Sequence, residues 1–187
     1  MLRELTQEEK GDGAILQKLS NQITRAVSRL RRQEKICIFI DNLSLFHALR
    51  FSGIKLDYLK LQEHIADGRT SDVRFYYTYH PDSDPTFFDF LENKAGFIMN
   101  AFEILDEDER ANVNCEIVYD MVRLVGKYDK YVLVSGFTNY GRTVARLRED
   151  FGIRVEVAFL NEQIAPSLAM ESDDIIDLAD FPQIHSS

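Results

Sequence analysis

The chain is poor in the residues that staple small folds together. Its 187 residues include only two cysteines, Cys37 and Cys115. They form no Cys-x-x-Cys pair and no Cys/His cluster, which argues against a disulfide scaffold or a zinc-finger-type site. Both lie in apolar or strand-like contexts and are expected to be small buried hydrophobes. The N-terminus has no long apolar run, so neither a secretory signal nor a membrane span is expected, and a reducing cytoplasm is the default compartment. Internal repeats and low-complexity tracts are also missing. Positive charge is scarce: 22 Lys and Arg stand against 31 Asp and Glu, a net charge of −9. That excludes a protein that coats nucleic acid through an overall positive field, but leaves room for a local basic groove or a cation site. His47, His64, His80 and His185 are scattered without metal-ligand spacing. One local absence is the most informative: "SGFTNYGR", Ser135 to Arg142, contains no Asp, Glu, His or Cys, although it reads as the turn between a buried strand and a helix. Ser135 also lacks the Gly-x-Ser-x-Gly elbow of a hydrolase nucleophile.

What remains is a globular composition, 45% apolar and 28% charged, long enough for one sizeable domain. Residues 1–12 are polar. Residues 14–33 place Leu16, Leu19, Ile23, Ala26, Val27 and Leu30 at helical spacing. The Leu16/Ile23/Leu30 seam suits docking on the domain or pairing with a second copy, so a homodimer is expected. The same helix carries most of a basic stretch, Lys18 to Lys35, which offers a face for RNA as the alternative. These residues form an N-terminal segment, 1–34. The domain proper is expected over 35–180, with a short tail at 181–187.

Within the domain, strands alternate with helices. "ICIFI", Ile36 to Ile40, is a continuous apolar run of the kind buried on both faces of a sheet. Further strands are expected at 72–79, in "FEIL" at 102–105, in "YVLVS" at 131–135, over 153–160 and in "DDIIDL". Helices are expected over 57–66, from Pro85 through to about 102, after "NVNC", over 139–150 and in "APSLAMES". "DEDER" reads as a charged turn. The alternation calls for a mostly parallel central sheet in a three-layer α/β sandwich. Right-handed crossovers then bring Asp41, the 135–141 turn and the loop after Phe159 to one edge, where such sheets bind ligands.

Asp41 ends the first buried strand. A carboxylate there must be solvated, hydrogen-bonded or held by a cation; capping the helix that starts near Leu43 is the simplest role. Asp120 sits in a helix among Val118, Tyr119 and Met121, unusual company for an acid. Asp173 and Asp174 stand beside the last strand.

On these stretches the chain resembles NYN domains, the LabA-like branch of the PIN-like ribonuclease superfamily. "IFIDNLSLF" is similar to the family's strand-Asp-Gly-x-Asn opening. "NVNCEIVYDM" resembles its Lys-Gly-Val-Asp-Val-x-Leu-x-x-Asp-Met segment. "YVLVSGFTNYGRTVARLREDFGIRVEV" resembles its strand-Ser-Gly-Asp-x-Asp-Phe turn with the following helix and strand. "SLAMESDDIIDL" is similar to its closing Leu-x-x-x-Ala-Asp-x-Phe-Ile-Asp-Leu piece. The resemblance covers about residues 35–180. It implies a Rossmann-like fold in which acids at the carboxyl edge of the sheet bind Mg²⁺ or Mn²⁺ and cut RNA phosphodiesters with metal-activated water.

Carried over position by position, Asp41 and Asp120 match family acids that serve as metal ligands and catalytic groups, and Asp173 matches the late acid. Asn139 stands at an acidic position and is the remaining candidate ligand. Ser44 replaces an Asn, Ala111 a Lys, and Asn114, Phe137 and Asn139 replace acids. Phenylalanine has no ligand atom, and neutral amide oxygens hold Mg²⁺ less well than carboxylates. The resemblance therefore implies a metal-dependent ribonuclease with weakened or lost activity, or an inactive relative that binds RNA or a protein partner and acts as a regulator. In the second case Asn42, Ser44, Ser135, Thr138 and Arg142 are the candidate RNA contacts. A helix N-terminus with an adjacent Arg can take a phosphate without metal, and Phe137, Tyr140 and "FYYTY" offer rings for stacking unless they are core.

Overall fold

The computed structural model of the chain describes residues 16–24, 26–27, 34–103 and 113–181. It divides into two units between Glu34 and Lys35. In the first unit residues 16–24 and 26–27 are helical, and Leu16, Leu19, Ile23 and Val27 are exposed. The polar stretch 1–12, the rest of the expected helix, the "DEDER" turn and residues 182–187 lie outside the described residues.

The second unit is built on six strands: β1 (Lys35–Asp41), β2 (Thr70–Tyr79), β3 (Ile98–Glu103), β4 (Lys130–Val134), β5 (Arg154–Phe159) and β6 (Asp174–Asp177). Every neighbouring pair is parallel, and the order is β3-β2-β1-β4-β5-β6. The helices are α1 (Asn42–Ser52), α2 (Tyr58–Ala66), α3 (Thr86–Asn93), α4 (Val113–Arg123), α5 (Gly141–Phe151) and α6 (Pro166–Glu171). The expected sandwich is thus present, with a sheet that is wholly parallel. No helix among the described residues is long and apolar enough to cross a membrane.

The apolar run of β1 explains its central place. Ile36, Cys37, Ile38, Phe39 and Ile40 are all buried, because β1 is paired on both sides and covered on both faces. Parallel register sets which side chains share a face. Cys37, Phe39 and Asp41 lie opposite Asp72, Arg74 and Tyr76 of β2, and Cys37 and Phe39 opposite Tyr131 and Leu133 of β4. α4 covers that face: the Tyr131 hydroxyl donates to the Met121 carbonyl at 3.0 Å. α2 covers the other, with the Tyr58 ring 5.3 Å from Phe75. From β1 the chain winds outward to β3, then crosses to the opposite side of β1 as β4. The order reverses between β1 and β4, and the carboxyl ends of these strands flank the crevice where such sheets take ligands.

Two expectations need correction. The helix entered at Pro85 does not run to 102: α3 ends at Asn93, and Gly96 turns left-handed at φ 70°. The Phe97 amide closes back on the Leu91 carbonyl at 3.0 Å. Residues 98–103 then pair with Arg74–Tyr79 as β3, so this strand starts at Ile98 rather than Phe102. Gly96 was the stop signal, a residue free to take positive φ at a helix C-terminus. The second correction concerns Cys115. Helix α4 is already formed at Val113, which turns Cys115 outward, where it is exposed. Cys37 is buried as expected, and burial pushes its thiol pKa up to about 12.

Candidate functional site

Asp41 closes β1 and caps α1, its Oδ1 accepting from the Ser44 amide at 3.1 Å. Its other oxygen accepts from the Ser135 hydroxyl at 3.0 Å and the Tyr140 hydroxyl at 3.1 Å. The carboxyl is completely buried. Burial pushes its pKa above the ordinary carboxylate value, against the pull of the Ser44 amide and the Ser135 and Tyr140 hydroxyls. The same hydroxyls tie the strand ends together. Ser44 Oγ accepts from the Gly136 amide at 3.1 Å, and Ser135 Oγ from the Phe137 amide at 3.3 Å. Tyr140 also lies 2.8 Å from Asn114 Oδ1. Its single hydroxyl proton serves one acceptor at a time, so Asp41 and Asn114 share it.

Asp120 points from α4 onto the same face of the sheet and is also buried. Oδ2 accepts from Arg74 Nη1 at 2.9 Å and from the Tyr76 hydroxyl at 2.6 Å. Oδ1 accepts from Arg123, one turn along α4, through Nε at 3.0 Å and through Nη2. Burial pushes this carboxyl up, but the Tyr76 and Arg123 hydrogen bonds and the Arg74 charge outweigh it and hold the pKa below the usual carboxylate range. Asp120 is therefore an anion already compensated by two guanidiniums.

The structure brings Asp41, Asn42, Ser44, Ser135 and Thr138 to the carboxyl edge of the central strands, as expected. Ser44 and Ser135 are buried, while Thr138, Asn139 and Arg142 are exposed. Asn42 is half-buried and accepts from the Tyr58 hydroxyl at 2.8 Å. Asn139 and Arg142 line a hollow of about 400 Å³ between α4 and α5, floored by Val118, Val122 and Leu147. Asp173 is not brought to this edge. It immediately precedes β6 and lies beside the start of β5, where Oδ2 accepts from the Val155 amide at 2.8 Å and Oδ1 from Arg148 at 2.9 Å. Of the rings that could stack or be core, Tyr140, Phe75, Tyr76 and Tyr77 are buried and present no stacking face, whereas Tyr79 is half-buried and Phe137 is exposed. Sequence reasoning missed Arg74 and Arg123. A signal for each was present: Arg74 interrupts an aromatic strand, and Arg123 follows Asp120 at the i+3 spacing that pairs charges on a helix.

These residues do not fit a divalent ion. Mg²⁺ and Mn²⁺ call for oxygen ligands carrying uncompensated negative charge. Asp120 is neutralised by Arg74 and Arg123, and Asp173 lies at the opposite edge. Among the described residues, no three His, Cys, Asp or Glu side chains come together as a metal-binding group.

A parallel sheet whose strand order reverses beside a buried acid at the end of β1 defines a Rossmann-like α/β domain. Residues 35–179 match the NYN domain, and the chain belongs to the NYN domain family. Low amplitude and bright protein LabA of Synechococcus elongatus is 29% identical to it over 162 residues, 80% of this chain and 87% of that protein. A crystal structure of a protein of unknown function from Vibrio parahaemolyticus shares the fold with a TM-score of 0.72 and 18% identity, over 83% of this chain and 98% of that one.

Proposed function

We propose that this NYN domain binds RNA at the carboxyl edge of its sheet and leaves it uncut, acting as a regulatory module rather than a metal-dependent ribonuclease. One observation carries the reading: all four oxygens of Asp41 and Asp120, the two of the three surviving acids on the site's face of the sheet, accept hydrogen bonds from the protein itself. The expected charge for a metal is spent on folding. Family membership supports RNA as the ligand class. Asp41, Ser44 and Ser135 then shape the turn, and Thr138, Asn139 and Arg142 face the RNA.

Arg142 lies in the first turn of α5, with Arg146 one turn further, on one wall of the hollow between α4 and α5. A phosphate contact here predicts that Arg142→Ala weakens binding of single-stranded RNA of any sequence and lowers the salt dependence of log K by about one contact's worth. Fluorescence anisotropy across a salt series measures both. An unchanged affinity and salt slope would reject the phosphate role.

A further inference from the structure

A second hollow opens between α1 and the Ser135–Phe137 turn, about 140 Å³ in volume, with His47, Phe51, Phe137 and Gln163 on its walls. Next to it His47, Phe51 and Arg50 line a shallower depression. Phe51 is 94% exposed and Phe46 53%. On α1 the pairs Phe46/Arg50 and His47/Phe51 are four residues apart, so these side chains share one side of the helix. The rings of Phe46 and His47 lie 6.0 Å apart. Leaving a phenylalanine in water forgoes the stabilisation its burial would bring, and here several rings are left so at the mouth of the crevice.

The charge around them is unlike that of the whole chain. Neither hollow is lined by a carboxylate. From Asn42 to Leu56 there is no acid at all, while Arg50 and Lys55 are present, in a protein of net charge −9. The occupant this surface fits has a flat apolar face for the rings, a polar edge for His47 and Gln163, and negative charge for Arg50. A nucleotide in an unpaired strand has all three. We propose that the outer side of α1, with Phe51 and Phe137 as its rings, is a base-stacking subsite for single-stranded nucleic acid. The inference rests on the RNA-binding reading and goes beyond it by requiring unpaired bases. In a duplex the base faces are covered by their neighbours and cannot reach the rings.

The test uses the full chain, with labelled oligouridylate and oligoadenylate as single strands and the same oligonucleotides annealed to each other. Phe51→Ala and Phe51→Leu are expected to weaken single-strand binding about five-fold or more, the lower end of what one stacked base contributes. Phe51→Trp should retain the affinity, and duplex binding should be the same for all four proteins. Because Phe51 is almost fully exposed, its variants should melt with the wild type. If Arg142→Ala weakens binding but the Phe51 variants do not, the stacking subsite is overturned and the RNA reading stands. If the wild type binds neither oligonucleotide, both fall. If Phe51→Ala leaves RNA affinity intact but alters self-association on sizing, the patch is a protein contact and the proposal is wrong.

Discussion

Replacing Asp120 by alanine is expected to destabilise the domain by about 3–5 kcal/mol, the cost of stripping one partner from a buried ion pair. For a domain of this size that lowers the Tm by roughly 6–20 °C. The loss arises less from the missing carboxylate than from what it leaves behind. Arg74 has only 12% of its side chain exposed, and its Nε is buried without a hydrogen-bond partner even in the intact protein. Without Asp120 its charge sits beside Phe39 and Tyr76 and loses the carboxylate that pairs with it at 2.9 Å. The companion experiment removes the orphans: Arg74→Met and Asp120→Leu, combined with Tyr76→Phe to take away the hydroxyl that donates to Asp120, should recover most of the loss, because apolar groups of similar volume replace an ion pair at little cost. Equal melting of wild type and Asp120→Ala would contradict the account.

The two buried acids also give stability opposite dependences on pH. The folded pKa of Asp120 is depressed, so its contribution is complete above the unfolded value near 3.9 and disappears as pH falls through the lower folded value. The folded pKa of Asp41 is raised, so its contribution is complete below about 3.9 and is lost as pH rises through the folded value. Denaturant midpoints of wild type and Asp120→Ala across this acid range separate the two: only the wild type should show the fall on the acid side that belongs to Asp120.

Gly136→Ala is the second large effect expected, a destabilisation of about 3 kcal/mol, at the upper end for forcing a methyl into a packed site. The backbone of Gly136 is not left-handed; its constraint is space. A Cβ there would stand 2.5 Å from the Gln163 carbonyl oxygen and 2.5 Å from the Phe159 ring. The carbonyl belongs to the backbone and cannot swing away. The Gly136 carbonyl also accepts from the Ala165 amide at 2.9 Å, and its amide donates to Ser44. Moving the turn therefore loosens the hydroxyl lattice around Asp41 and displaces Phe137 from the hollow it lines. Calorimetry and RNA anisotropy should both register the change. A variant that melts and binds like wild type would show that the turn is not clamped in this way.

The fold was legible because its signals are local and redundant. The apolar run of β1, the strand-helix alternation and the small residues after β4 each pointed to a parallel sheet with its crevice at Asp41. Where local signals competed, reading was harder: the phenylalanine-rich stretch after Pro85 has helical spacing well past the residue where Gly96 ends the helix. The site was half legible. The missing acids at Asn114, Phe137 and Asn139 can be seen in the sequence, but the fate of the remaining ones cannot. Whether Asp120 meets a metal or two arginines depends on Arg74, 46 residues away in sequence and brought to it by the pairing of β1 with β2. The exposed rings of α1 were invisible for a related reason. Leu45 and Leu49 of the same helix are buried, and only the packed structure separates the inner face from the outer one.

On the proposed function this edge holds RNA without metal and without cutting it. The direct measurement incubates the chain with end-labelled single-stranded RNA in Mn²⁺ and, in parallel, in EDTA, then reads bound fraction and RNA length from the same samples. Equal binding in both and intact RNA throughout are expected, with RNA length the same for Asp41→Asn and wild type. RNA shortened only in Mn²⁺, and only by the protein that keeps Asp41, would contradict it.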